Sequence, residues 1–320
     1  MKLITRSEIE SVLNVPDLIA GVEEAFTAYS KGLGEVPPVA ELLMNNAEVH
    51  IKYGYIRGGE HYVIKVASGF YDNPAKGLPS SNGLMMLFSL ATGQPICLLQ
   101  DEGVLTDYRT ALAGAVAAKH LAPENITRIG IIGTGTQARL QAKCVSEQTG
   151  CALVSVWGRT KDAVIACKKD LLDMNLEVNV CESIPELFAQ CNVVITTTPS
   201  QHALVCADDV NPGTLIVAVG SDTCEKQELS TELLSRANRL IVDSNVQSQS
   251  RGEVFQLRKK VPETAIQTAE LGDVIQGNYS PVRSDEIGIV DLTGIALQDL
   301  KIAETVMFLA AINTASQGDY

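Results

Sequence analysis

Ile129-Gly-Ile-Ile-Gly133-Thr134-Gly135-Thr-Gln-Ala138 decides the fold of this 320-residue chain. A short apolar strand runs into Gly133-x-Gly135-x-x-Ala138, and a helical pattern opens at once over 136–149. Strand, glycine turn and helix in that order cradle the pyrophosphate of a dinucleotide. Gly133 allows the tight turn, Gly135 lets backbone approach the phosphates, and Ala138 keeps helix and strand close. The helix N-terminus then offers N–H groups to an anion. The plainer reading is a glycine turn with a purely structural role.

Downstream of this turn, apolar strands and helical segments alternate. Strands fall near 128–133, 153–157, 177–181, 192–197, 214–219 and 239–243. Helices fall near 160–174, 183–190 and 225–236. Such alternation predicts a parallel sheet covered on both faces. Upstream, 6–31 carries one helical stripe, and 49–56, 62–67, 84–90 and 95–100 read as strands. After Thr106 the pattern turns helical up to Ala122-Pro123. A last helix covers 296–313. The fold class is therefore α/β. A dinucleotide-binding domain over 120–294 is joined to an α+β domain formed by 1–119, to which 295–320 returns.

Composition narrows the function. The 46% hydrophobic content supports a sizeable core, and the net charge of −13 argues against nucleic acid or an anionic membrane as partner. No apolar run reaches transmembrane length, and the start lacks a signal-peptide core. Cys97, Cys144, Cys151, Cys167, Cys181, Cys191, Cys206 and Cys224 show no CxxC spacing, and histidines are scarce. No metal is expected, and reduced cysteines suit a cytoplasmic protein.

On the cofactor side, the second strand of a dinucleotide fold ends beside the adenine ribose. An acidic residue there accepts the 2′-OH of NAD, whereas arginine accommodates a 2′-phosphate. Here the strand ends Trp157-Gly158-Arg159-Thr160, and Asp162 already lies in the next helix. This favours NADP(H), with NAD(H) as the alternative; Arg159 could instead only solvate the helix start. Two further strand ends face the same crevice. Thr197 and Thr198 line the nicotinamide ribose or merely satisfy turn N–H groups. Val219-Gly220-Ser221 leads to Asp222.

Asp222 is the acid–base candidate, because a carboxylate at that strand end can exchange a proton while hydride moves at the adjacent carbon. Its alternative role is a cap for the helix expected from 225. Lys65 interrupts the apolar strand Val63-Ile-Lys-Val-Ala67, and points either to solvent or into a cleft. Arg109, expected just before a helix, suits bidentate anion binding or a surface position.

Five blocks together resemble the ornithine cyclodeaminase/mu-crystallin family over nearly the whole chain. They are Lys65-Val-Ala-Ser-Gly-Phe70 leading to Gly77-Leu-Pro-Ser80; Leu105-Thr-Asp-Tyr-Arg-Thr-Ala-Leu-Ala113; Ile132-Gly-Thr-Gly-Thr-Gln-Ala138; Ala218-Val-Gly-Ser-Asp222 with Lys226-Gln-Glu-Leu229; and Asp291-Leu-Thr-Gly-Ile-Ala296. The resemblance implies a homodimer and a Rossmann domain in the middle of the chain. The N-terminal segment and last helix would form the substrate and dimerisation domain. It implies that Lys65 contacts the substrate carboxylate or imine, that Arg109 is shared between substrate and cofactor, and that Asp222 handles the substrate nitrogen. Thr293 and Gly294 fall at the substrate, and Ser80, Thr110, Thr136 and Gln137 at the cofactor.

Family chemistry divides between NAD(P)H-dependent reductases of a C=N bond beside a carboxylate and NAD-dependent cyclodeaminases. Members acting on ornithine or cyclic ketimines carry a further arginine before the first strands. This chain has none between Arg6 and Arg57, where Glu35-Val-Pro-Pro-Val-Ala-Glu41 stands. Lys52 is the substitute, as a point charge rather than a fork. The reading is a reductase of a small α-imino acid, with a cyclodeaminase as alternative and a non-catalytic binding protein as a third.

Overall fold

A computed structural model of the chain describes residues 1–262 and 266–317. Contacts divide the protein into two units: Met1–Arg109 with Ile295–Tyr320, and Thr110–Gly294. Residues 318–320 lie outside the described residues.

The first unit opens with β1 (Lys2–Thr5), α1 (Arg6–Val12) and α2 (Val15–Ser30). The single helix expected over 6–31 is two helices. Leu13 turns extended after the first, and Asn14 accepts a hydrogen bond from Asp17 N, capping the second. Then come β2 (Gly34–Glu35), β3 (Ala40–Met44), β4 (Ala47–Ile56), β5 (His61–Phe70), β6 (Ser81–Ser89) and β7 (Pro95–Gln100). The sheet order is β1-β7-β6-β5-β4-β2, with β3 also on β4. Only β1 on β7 is parallel. Alternation sends Val63, Met85, Leu87, Cys97 and Leu99 to one fully buried face.

Helix α3 (Val104–Leu121) contains the boundary between the units. The contacts divide the units at Arg109/Thr110, within this helix, where the pattern of elements along the sequence places the division at 119/120. Arg109 also lies inside this helix rather than ahead of it. The helix begins earlier because Gly103 takes φ +92° and Asp101 Oδ2 accepts Leu105 N at 2.9 Å.

The second unit runs through β8 (Ile129–Ile132), α4 (Thr136–Thr149), β9 (Leu153–Trp157), α5 (Lys161–Asp173), β10 (Glu177–Val180), α6 (Ile184–Gln190), β11 (Val193–Thr196) and β12 (Thr214–Ala218). It continues with α7 (Thr231–Arg236), β13 (Arg239–Val242), α8 (Glu253–Arg258), β14 (Thr268–Glu270), α9 (Leu271–Asp273) and β15 (Ile287–Asp291). All eight strands are parallel, in the order β10-β9-β8-β11-β12-β15-β13-β14. Strand order reverses beside β8, which opens a crevice at the carboxyl ends of β8 and β11. Residues of β8, β11, β12 and β15 are all buried, which explains their continuous apolar runs.

The helix expected over 225–236 is confined to Thr231–Arg236. Upstream of it, Leu204 N and Val205 N both donate to Glu228 O, and Leu229 bridges Val205. Backbone groups used in that bridge cannot enter a helical ladder, so Ser230 becomes the cap by accepting Leu233 N. Asp222 is thus not a helix cap. The final helix, α10 (Ala296–Gln317), belongs to the first unit and packs on α2, β4, β5 and β6.

Candidate active site

In the second unit a cleft of ≈ 270 Å³ opens at the β8–α4 turn. Gly133, Thr134, Gly135, Gly158, Arg159, Thr160, Thr197 and Thr198 are among its lining residues. The three glycines are there for different reasons. Gly133 has φ +129°, and a Cβ on it would collide with Thr197 Oγ1. At Gly158 a Cβ would stand 2.5 Å from Thr134 Cγ2. Gly135 has nothing within 4 Å of its would-be Cβ. Its lack of a side chain therefore relieves no internal crowding; it leaves open space above the start of α4. Gly135 is also the N-cap of α4 and supplies no side-chain acceptor. An open cradle ahead of a helix N-terminus fits a phosphate group. Thr136 and Gln137 occupy the first turn of α4, and Gln141 Nε2 reaches Thr110 O at 3.0 Å.

Two strand ends continue this site. Thr197 N and Oγ1 donate to Ile132 O at 2.9 and 3.1 Å. Val219 N donates to Thr196 O, and Ser221 Oγ to Lys226 O. Asp222 has a 41% exposed side chain and pairs with Lys226 Nζ at 2.8 Å. Thr293 and Gly294 are held from behind. Thr293 N, Thr293 Oγ1 and Gly294 N all donate to Asp243, and Gln247 Nε2 donates to Thr293 Oγ1 at 2.7 Å.

The first unit carries a cluster of buried charge. Lys65, 1% exposed, points into the protein rather than to solvent. Its Nζ donates to Asp299 Oδ1 at 3.1 Å, and Arg109 Nε approaches the same oxygen at 3.2 Å. Asp299 is 0% exposed, and its Oδ2 is buried without a hydrogen-bond partner. Burial, aided by the Arg109 charge, lowers the Lys65 ammonium to about 8. Gln298, also buried, donates to Arg109 O and accepts Ile295 N, fixing the start of α10 beside Arg109. Lys52 is buried and stands directly across from Lys65 in the β4–β5 register. Ser80 closes the 71–80 loop, its carbonyl accepting Phe70 N at 2.7 Å.

The structure thus joins Lys65, Arg109 and Lys52 in one unit. It brings the glycine turn, Gly158-Arg159-Thr160, Thr197 and Thr198 together in the other. Sequence reasoning missed Asp299, Asp101 and Glu228. Asp299 reads as a helix-start acid, the residue type that a helix dipole favours at a surface. Glu228 was quoted within Lys226-Gln-Glu-Leu229 but given no role.

Residues 1–310 match a sequence model of the ornithine cyclodeaminase/mu-crystallin family. The alanine dehydrogenase of Archaeoglobus fulgidus is 33% identical over 95% of this chain and 93% of its own. The ornithine cyclodeaminase of Brucella suis is 30% identical over 93% of this chain and 81% of its own. A solved Δ1-pyrroline-2-carboxylate reductase from Thermococcus litoralis, in complex with NADH and L-proline, superposes with a TM-score of 0.91 at 26% identity, covering 98% of each chain.

Proposed function

We infer function from one premise: this chain belongs to the ornithine cyclodeaminase/mu-crystallin family. We propose that it is an NAD(P)H-dependent reductase of a small α-imino acid, running in reverse as an amino acid dehydrogenase. The observation that carries this reading is the pairing of Lys65 and Arg109 on one buried Asp299 oxygen. Lys65 and Arg109 meet on Asp299, with buried Asp101 as a second acid acting on Lys65. A lysine with three donors and an arginine with five keep donors to spare for a substrate carboxylate. Lys52, across the strand from Lys65, adds the charge that the absent arginine supplies elsewhere in the family.

Gly133, Gly135 and the α4 N-terminus would hold the dinucleotide pyrophosphate, with Thr197, Thr198, Val219, Gly220 and Ser221 toward the nicotinamide. The bound dinucleotide supplies a hydride to the imine carbon. Asp222 delivers the proton to nitrogen, drawing on its contact with Lys226, and Lys65 stays protonated near neutrality to hold the carboxylate. Thr293 and Gly294 serve the substrate from a loop fixed by Asp243.

NADP(H) is the favoured nucleotide, although the T. litoralis relative was solved with NADH. The support is Arg159 in the cleft, whose described lining contains no Asp or Glu. A homodimer is supported by the sheet face of the first unit opposite α10. There Ile64, Val66, Leu84, Met86 and Phe88 stay only half-buried, and Tyr62 stacks on Phe88 at 4.8 Å. Eight unpaired cysteines fit the cytoplasm. No described helix is long and apolar enough to cross a membrane.

The test is a panel of cyclic and linear imino acids, and of 2-oxo acids with amine, followed by nicotinamide absorbance with both cofactors. Turnover of at least one supports the reading. Ammonia release from a diamino acid without net nicotinamide change would instead identify a cyclodeaminase. Dinucleotide binding with no turnover on the panel would identify a binding protein.

A further inference from the structure

We propose that Glu228 is a positioning residue for the nicotinamide half of the cleft. Its carboxylate ties the chain after β11 to the chain after β12. The proposal rests on the dinucleotide reading above and extends it to a residue outside the cleft lining.

Glu228 is 0% exposed. Its Oε1 accepts Thr198 N at 2.6 Å and Thr198 Oγ1 at 2.7 Å. Its Oε2 accepts Thr196 Oγ1 at 2.7 Å and Gly220 N at 2.9 Å. Four donors from two strand ends therefore converge on one carboxylate. Backbone N–H groups at the ends of parallel strands need acceptors, and a buried charged acceptor holds them more firmly than a neutral one. Gly220 makes the approach feasible: a Cβ there would collide with the Thr198 backbone and stand 2.6 Å from Glu228 Oε2.

The clamp is itself anchored. Glu228 N donates to Glu253 Oε1 at 2.6 Å and Leu229 N to Glu253 Oε2 at 3.2 Å. Glu228 O accepts Leu204 N and Val205 N. The next carboxylate, Asp291, accepts Val254 N at 2.9 Å and keeps α8 against β15. Glu253 on α8 and Asp291 on β15 are the charged groups facing Glu228 from behind. With Thr196 and Thr198 both held, Thr197 between them has a fixed aspect toward the Gly133 turn, and Gly220-Ser221-Asp222 has a fixed start. Among the described residues no hydrogen bond of the Glu228 carboxylate reaches Gly158-Arg159-Thr160, so the adenosine half should respond less to its loss than the nicotinamide half.

Glu228→Gln places an amide NH2 where only donors converge. The full-length chain and this variant would be titrated calorimetrically with NADPH and NADH, and separately with ADP-ribose and its 2′-phosphate. The expected result is a dinucleotide Kd raised about tenfold or more, with fragment Kd values within about twofold of wild type. Thr196→Val removes one donor without touching the cleft lining and should show the same pattern more weakly. Glu228→Asp, which keeps the charge, should recover part of the loss. Equal weakening of dinucleotide and fragment would mean a general structural role and overturn the proposal. So would unchanged binding in Glu228→Gln, or in Thr196→Val should the first variant not fold. If wild-type protein bound neither probe, the dinucleotide reading would fall and this proposal with it.

Discussion

The first unit sinks Lys52, Lys65 and Arg109 against a sheet that is antiparallel apart from β1 on β7, whereas the second sinks Glu228, Glu253, Asp291 and Asp243 at the ends of a parallel one. The cations meet a side-chain carboxylate, Asp299, which Lys65 and Arg109 share. The carboxylates instead take backbone N–H groups: Thr198 and Gly220 on Glu228, Glu228 and Leu229 on Glu253, Val254 on Asp291, Thr293 and Gly294 on Asp243. Antiparallel hairpins satisfy their own backbone. Parallel strands end in loops whose donors need acceptors, so acids are buried there as staples. One set of charges is paired side chain to side chain, the other holds loops by their backbone.

The largest expected effect comes from Lys65→Met. It leaves Asp299 buried with one cation, and breaking a buried pair costs about 3–5 kcal/mol. Activity, read as kcat/KM, should fall at least about 10³-fold. ADP-ribose affinity should stay unchanged, and its loss would mean that the two charge sets do not act separately. Asp222→Asn comes next, with kcat reduced about 10²–10⁴-fold and dinucleotide affinity retained. Activity near wild type would make Asp222–Lys226 an ordinary surface pair.

Two glycines of the same turn separate staple-like from ligand-facing roles. Gly133→Ala strains a φ of +129° and strikes Thr197, so Tm should drop by several degrees, roughly 4 °C or more. Gly135→Ala adds a Cβ that meets nothing within 4 Å, so Tm should fall by less than in Gly133→Ala, by only the loss of a better N-cap, while dinucleotide binding falls about tenfold or more.

The acidic set also predicts a pH response. Burial raises Glu228 and Asp291 to about 7 and puts Glu253 well above the usual carboxylate range. Between the ordinary carboxylate range and about 7 the folded state binds more protons than the unfolded chain. Stability from these groups is therefore present at low pH and lost as pH rises through about 7. Tm should fall by roughly 2–4 °C or more from about pH 5 to about pH 8, and less steeply in Glu228→Gln. Lys65 acts oppositely at higher pH: its ammonium is lowered to about 8, so its contribution rises with pH between about 8 and the ordinary lysine value. Smallest is Arg159→Ala, which should cut any preference for NADPH over NADH about tenfold in kcat/KM.

Most strands and helices of the parallel unit were legible because their signals are local. Apolar runs, glycine at a turn and a 3.6-residue period act over neighbouring residues. Residues 225–230 misled because Lys226-Gln-Glu-Leu229 has good helix formers, and the competing bridge to Val205 comes from a distant segment. The short edge strands β2 and β3 escaped because β3 is exposed throughout and β2 spans two residues. Lys65 was legible as a charge within an apolar strand, but its direction was not.

By itself, then, the sequence determined the strand–glycine turn–helix at 129–149 and the alternating elements around it. Those follow from backbone geometry within a few residues. Only the tertiary structure decided which charges are buried and what they do. Lys65 finds Asp299 across 234 positions of chain, and Glu228 is a clamp only where two strand ends and α8 meet it. Burying a charge is tolerable only beside a partner, and that partner comes from another part of the chain.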